Sequence, residues 1–346
     1  MNHTILVATA GQGILRSNDD GHTWHRLGLN EPIEFDGVVR ALAVDPTRPE
    51  RIYAGADSGL CISDDGGAHW RLARGAICGM TVWSIAIDPN DPRILYAGTG
   101  APSRAALFKS TDAGETWSRL RPEIPEFCKG VNRPRLLTIC VDPDDSRQVW
   151  FGVEEGGVWR SRDGGATFTR LDAPGGDAIR SSDIHAITIL PAVAEARKTI
   201  IVLTVNTVHV SNDDGATWDG QPSKKRFAGL YYTRTIVPVA GSHHELMLAV
   251  GDGTPGFTSR LYRSRDRGQT WAPAELDVAP NSTFWAFGGH PADPERMYAG
   301  TKYGDLFRST DGGYTWRKEW REFSEITAVV WTPVSSPLTA HAQSTD

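Results

Sequence analysis

Short apolar runs and turn residues alternate along this chain in a repeating order. Val39 to Pro46 is a mostly apolar run that stops at a proline turn, and Arg51-Ile52-Tyr53-Ala54-Gly55 follows it. The same succession returns at Val82 to Pro89 before Ile94-Leu95-Tyr96-Ala97-Gly98, and at Leu136 to Pro143 before Val149-Trp150-Phe151-Gly152. It returns again at Phe284 to Pro291 before Arg296-Met297-Tyr298-Ala299-Gly300, and more loosely at Ile184 to Pro191 and Thr233 to Pro238. Runs of this length, rich in β-branched and aromatic residues and bounded by Gly, Pro and Asp, predict strands.

Between these strand pairs stands one signature: Ser-x-Asp-x-Gly-x-Thr-Trp. Its serines are Ser17, Ser63, Ser110, Ser161, Ser211, Ser264 and Ser309, so successive copies lie 45 to 53 residues apart. A strand such as Ile14–Ser17 or Leu306–Ser309 runs into a tight turn. There the aspartate can accept backbone N–H groups, and the glycine supplies a positive φ that a side chain would resist. The threonine and tryptophan open the next strand, where the aromatic ring is buried. Phe168 replaces Trp once and His69 replaces Thr once. A period near 47 residues is the size of one four-stranded propeller blade. Seven signatures therefore predict an all-β, single seven-bladed β-propeller of four-stranded antiparallel blades.

The ends are expected to complete the ring. The chain opens on a strand, Thr4–Ala8, that has no inner strand before it, and the segment Ile326–Trp331 is an inner strand with nothing after it. Pairing the two removes two open sheet edges. The propeller is expected over residues 1–333, with residues 334–346 as a disordered tail.

The signature resembles the Asp-box, or BNR repeat, of sialidases, sortilin-type receptors, xyloglucanases and photosystem II assembly factor-like proteins. The resemblance runs along nearly the whole chain and implies the fold. It leaves the activity open, because those families do different things on related propellers.

A net charge of −6, from 36 basic and 42 acidic residues, argues against a general nucleic-acid binder. No apolar run reaches the roughly 18 residues needed to cross a bilayer, so no membrane partner is expected. The first ten residues lack the basic and apolar regions of a signal peptide, and the four cysteines have no paired spacing. These features lead to the expectation of a cytoplasmic protein with reduced thiols.

In a propeller, ligands are expected at one mouth of the central channel, and the box aspartates lie away from it. Aligning the inner strands on their terminal prolines puts Arg40, Trp83, Leu137, His185, Tyr232, Trp285 and Thr327 at one equivalent position near that mouth. Arg234 is the alternative to Tyr232 in blade five. Two tryptophans, arginines and a histidine at a crowded axis suggest flat walls with a few polar groups. Neighbouring loops add Arg135, Asp252, Lys302 and Tyr303 as ligand-binding candidates, and Glu154 and Asp183 as acids. His185 is the candidate acid/base, because its intrinsic pKa lies near neutrality, with Asp183 or Glu154 to orient or assist it. Arginines converging on a mouth favour a carboxylate or phosphate ligand. Gly251 to Gly256 matches the dinucleotide glycine pattern by letter, but no helix pattern follows, and no nucleotide cofactor is expected. No metal ligand set is assigned, while a divalent metal in the channel is left open.

Three functional readings fit these residues. The first is a hydrolase or lyase acting on a small anionic or aromatic ligand at the mouth. Seven-bladed lyases of the virginiamycin B lyase kind are similar in architecture. The second is a non-catalytic protein-binding or assembly module, with a protein partner. The third, and the weakest of the three on the sequence, is a glycosidase. Sialidases of this repeat have six blades, and xyloglucanases are implied by the resemblance to work in a cleft between two propellers. The tryptophans Trp83 and Trp285 could stack on a sugar.

Overall fold

The structure, a computed structural model, describes residues 3–27, 33, 35, 37–171 and 183–334. Seven antiparallel sheets follow one another around a ring. Blade 1, for example, consists of Val39–Val44, Ile52–Ala56, Gly59–Ser63 and Arg71–Leu72, each strand paired with the next. Blades 2 to 6 begin at the inner strands Val82–Ile87, Leu136–Val141, Ile184–Leu190, Tyr232–Pro238 and Phe284–Gly289. Blade 7 closes the ring as expected: Glu325–Pro333 pairs with His3–Ala10, with Leu6 opposite Val330 and Val7 opposite Val329. Blade 6 departs from the four-strand pattern. Glu275–Leu276 adds a fifth strand, parallel to the long outer strand Thr315–Glu322. One helical turn, Ser223–Arg226, stands in the loop before the blade 5 inner strand. The expected tail at 335–346 lies outside the described residues.

The repeated signature is a self-contained hydrogen-bonded turn. Ser17 Oγ accepts the Gly21 N–H at 2.9 Å while donating to Asp19. The Asp19 carboxylate accepts the Thr23 N–H at 2.8 Å and its hydroxyl at 2.6 Å. Trp24 Nε1–H then donates to the Gly21 carbonyl at 3.0 Å. In the second copy His69 Nδ1 takes the place of the threonine hydroxyl, 2.6 Å from Asp65. Every box aspartate is thus occupied by its own turn. The turns also clasp adjacent blades, because a basic residue just before one box serine reaches the next box. Arg16 donates to the Gly66 carbonyl, Lys109 to Gly164 and Arg160 to Asp214.

Five of the seven second strands carry glycine at or next to their end, and the blades approach closely there. A Cβ on Gly98 would stand 2.5 Å from Leu136, and one on Gly152 would stand 2.3 Å from Ile184. In each case the obstacle is the first residue of the next inner strand.

A further regularity positions the site. Every inner strand carries a bulge near its start, where one residue is skipped in the pairing. The skipped residues are Arg40, Trp83, Leu137, His185, Arg234, Trp285 and Thr327. A bulge frees a residue from the ladder and re-aims its side chain. Here it does so seven times at one level of the channel. In blade 5 the equivalent residue is therefore Arg234 and not Tyr232.

Candidate functional site

All seven bulge residues line one cavity of about 430 Å³ at the channel mouth. This is within the size range of small-molecule sites. Around them stand Arg135, Glu154, Tyr232, Thr254, Lys302 and Glu325. Most of the sequence-predicted ligand residues are thus brought together.

Each tryptophan is held by cations. The Arg40 guanidinium lies 3.9 Å from the Trp83 ring centroid, with Arg135 at 4.9 Å. Arg234 lies 4.0 Å from the centroid of Trp285, and Lys302 Nζ lies 4.4 Å from it. An arginine at one bulge thus stacks on the tryptophan at the next, twice around the ring. Trp83 is fixed further by its Nε1–H, which donates to the Ala101 carbonyl at 2.9 Å. Tyr232 stacks on the other tryptophan with ring planes 20° apart, and its hydroxyl pKa is raised, mainly by burial.

Two carboxylates line the cavity, from blades on opposite sides of the ring. Glu154 follows the second strand of blade 3, Val149–Val153. Its side chain is only 12% exposed, and Arg135 Nη1 lies 3.1 Å away. Burial pushes its pKa above the usual carboxylate value; Arg135 opposes that shift and Asp183 adds to it. Glu325 opens the closing strand and pairs with the Lys302 ammonium. Burial lowers the Lys302 pKa; Glu325 opposes that shift, while Arg234 and Arg40 add to it.

His185 is buried with one nitrogen committed. Nδ1 stands 2.6 Å from the Thr233 carbonyl, which can only accept, so Nδ1 carries a hydrogen. Nε2 lies 3.6 Å from Asp183 Oδ2. Asp183 is not on the cavity wall. Its Oδ1 is buried without a hydrogen-bond partner among the described residues.

Two other candidates fall outside the cavity. Asp252 accepts the N–H groups of Phe257 and Thr258 at 2.9 and 3.1 Å and so shapes its own loop. That loop is the glycine segment 251–256, and no helix follows it. Tyr303 is exposed beside Lys302, on the rim. Phe257 and Tyr231 are exposed as well, in loops of neighbouring blade 5. Backbone hydrogen bonds tie this rim together, from Lys302 to Thr283 and from Thr283 to Pro255.

Glu325, Thr254 and Thr138 line the cavity without having been singled out in the sequence. The signal for Glu325 was available: it precedes Ile326 as Asp183 precedes Ile184 and Arg135 precedes Leu136. Among the described residues no group of three or more His, Cys, Asp or Glu side chains could hold a metal ion. The four cysteines form no disulfide, and burial pushes the thiols of Cys61 and Cys140 up to about 12. No described helix is long and apolar enough to cross a membrane.

Comparison with known proteins agrees with the repeat. A family model described as BNR/Asp-box repeat matches residues 307–318, around the seventh signature. The protein is a seven-bladed β-propeller built on that repeat. The chain is 26% identical to a xyloglucanase of Hypocrea jecorina (strain QM6a) over 348 residues, covering 87% of this chain and 41% of the relative. It thus spans less than half the length of that curated relative. Among solved structures, the Niastella koreensis GH74 enzyme superposes with a TM-score of 0.64 at 21% identity, over 81% of this chain and 45% of that one. YCF48 bound to D1 peptide superposes with a TM-score of 0.56 at 14% identity, over 86% and 93%. At these identities the two structures share the fold.

Proposed function

We propose that the protein is a glycosidase that hydrolyses an oligosaccharide at the channel mouth, with Glu154 as proton donor and Glu325 as base. The observation that carries this reading is the pair of cavity carboxylates in unequal surroundings. Glycoside hydrolysis needs two carboxyl groups flanking the scissile bond, one holding its proton and one ionised. Burial favours the protonated form of Glu154, while Glu325 is paired with the Lys302 ammonium.

The step balances simply. Glu154 gives its proton to the leaving glycosidic oxygen as the C–O bond breaks. Water adds to the anomeric carbon, and Glu325 takes the proton that the water loses. Glu154 is then ionised and Glu325 protonated, and exchange with solvent restores both. Arg135 steadies the Glu154 carboxylate after transfer. The His185 ring is fixed through Nδ1, and the nearby Asp183 charge helps keep the Glu154 proton in place.

The similarity to a xyloglucanase over most of the chain supports hydrolysis of a glycosidic bond, and supports it over the lyase alternative. It makes β-glucan oligosaccharides, xyloglucan fragments among them, the first substrates to try. Release of reducing ends from such a panel by the purified protein tests the reading.

A further inference from the structure

Among the described residues, the mouth contains one cation without a carboxylate partner. Four cations line the cavity, and three have a carboxylate. Arg40 has Asp57 at 2.8 Å, Arg135 has Glu154 at 3.1 Å, and Lys302 has Glu325. Arg234 has neither a carboxylate within ion-pairing distance nor a protein hydrogen-bond acceptor among the described residues. Its close partner is the face of Trp285. A guanidinium lying over an indole face can keep its N–H groups free, in the fork geometry that fits a carboxylate. The bulge in the blade 5 inner strand aims this side chain at the axis.

We infer that Arg234 is the anchor for a carboxylate and that the substrate is an acidic saccharide, one bearing a uronic-acid group. The saccharide half of this statement rests on the glycosidase reading; the carboxylate half does not. A neutral sugar would leave the guanidinium edge unpaired inside the cavity. The carboxylate of a uronic acid would fill it and neutralise the excess charge near Lys302. The rim favours a sugar chain over a small inorganic anion. Tyr231, Phe257 and Tyr303 are exposed in the loops of blades 5 and 6 and present flat rings that further sugar units could meet.

The test is calorimetric binding of thio-linked disaccharides, which resist hydrolysis, to the full-length protein. One carries a glucuronic acid unit, and its neutral match has that carboxylate reduced to the alcohol. The acidic sugar should bind about 10- to 100-fold more tightly, the span of a charge-assisted bidentate contact, and less so at high salt. Arg234→Met should erase that preference and leave the melting temperature intact, while Arg234→Lys should keep part of it. Equal binding of the two sugars, or a preference that survives Arg234→Met, would overturn the inference. Tighter binding of inorganic phosphate than of the acidic sugar would overturn it as well. Acid-selective binding without turnover of the oxygen-linked sugar would defeat the glycosidase reading alone. Turnover of neutral glucans with no acid preference would defeat this inference alone.

Discussion

Arg135 Nη1 stands 3.1 Å from the Glu154 carboxylate, yet the Glu154 pKa is raised and not lowered. Desolvation outweighs the ion pair there. Both groups are partly withdrawn from water, and the loss of hydration of the carboxylate exceeds what one guanidinium returns. The mouth therefore holds a carboxyl group that keeps its proton to higher pH than a surface glutamate.

The sign of the pH dependence follows from that. A proton donor must be protonated, so hydrolysis falls as pH rises through the Glu154 pKa. Arg135→Met removes the opposing charge, raises that pKa further and moves the alkaline limb of the rate profile to higher pH. Rate measurements across pH on both proteins check this; a limb that stays in place separates Glu154 from the proton transfer.

The box aspartates titrate in the opposite direction. The hydroxyls and N–H groups of Thr23, Thr167 and Thr217 hold Asp19, Asp163 and Asp213 down to about 2. A carboxyl depressed in the folded state contributes stability above its ordinary value near 4, and that contribution disappears as pH falls toward 2. The melting temperature should drop steeply across that window. Asp163→Asn should flatten the slope, and an unchanged slope would remove the box carboxylates from acid stability.

The close approach of blades 3 and 4 gives a packing prediction. Gly152→Ala brings a methyl to 2.3 Å from Ile184, so the inner strand of blade 4 must shift. Overpacking of this kind costs about 1–3 kcal/mol, which denaturant unfolding would measure.

Ring closure rests on eight paired positions between Glu325–Pro333 and His3–Ala10. Deleting residues 324–346 leaves the edge of His3–Ala10 unpaired and the ring open, and should give an aggregating or unfolded product on size exclusion. A soluble monomer with an unchanged melting curve would refute the closure.

Much of this was legible in the sequence because the scaffold repeats. The box spacing set the blade number, and aligning the inner strands on their prolines found six of the seven bulge residues. Blade 5 was ambiguous because Tyr232 and Arg234 both reach the cavity, and only strand pairing shows that Arg234 is the skipped residue. Glu325 escaped notice because the closing strand was read as beginning at Ile326. Asp252 was misplaced because an aspartate in a mouth loop can as well fold back onto its own N–H groups, and that contact is invisible in the sequence. The fifth strand of blade 6 arises from a parallel pairing about 40 residues apart that no local pattern announces.

The decisive measurement is reducing-end release from β-glucan and uronic-acid-bearing oligosaccharides by the wild-type protein and by Glu154→Gln and Glu325→Gln. Wild-type turnover that falls about 10²- to 10⁴-fold in each variant, with melting temperatures preserved, is the expected result. Turnover that survives both substitutions would contradict the assignment of the channel mouth as the catalytic site. No turnover of any saccharide by the wild type would contradict the glycosidase itself.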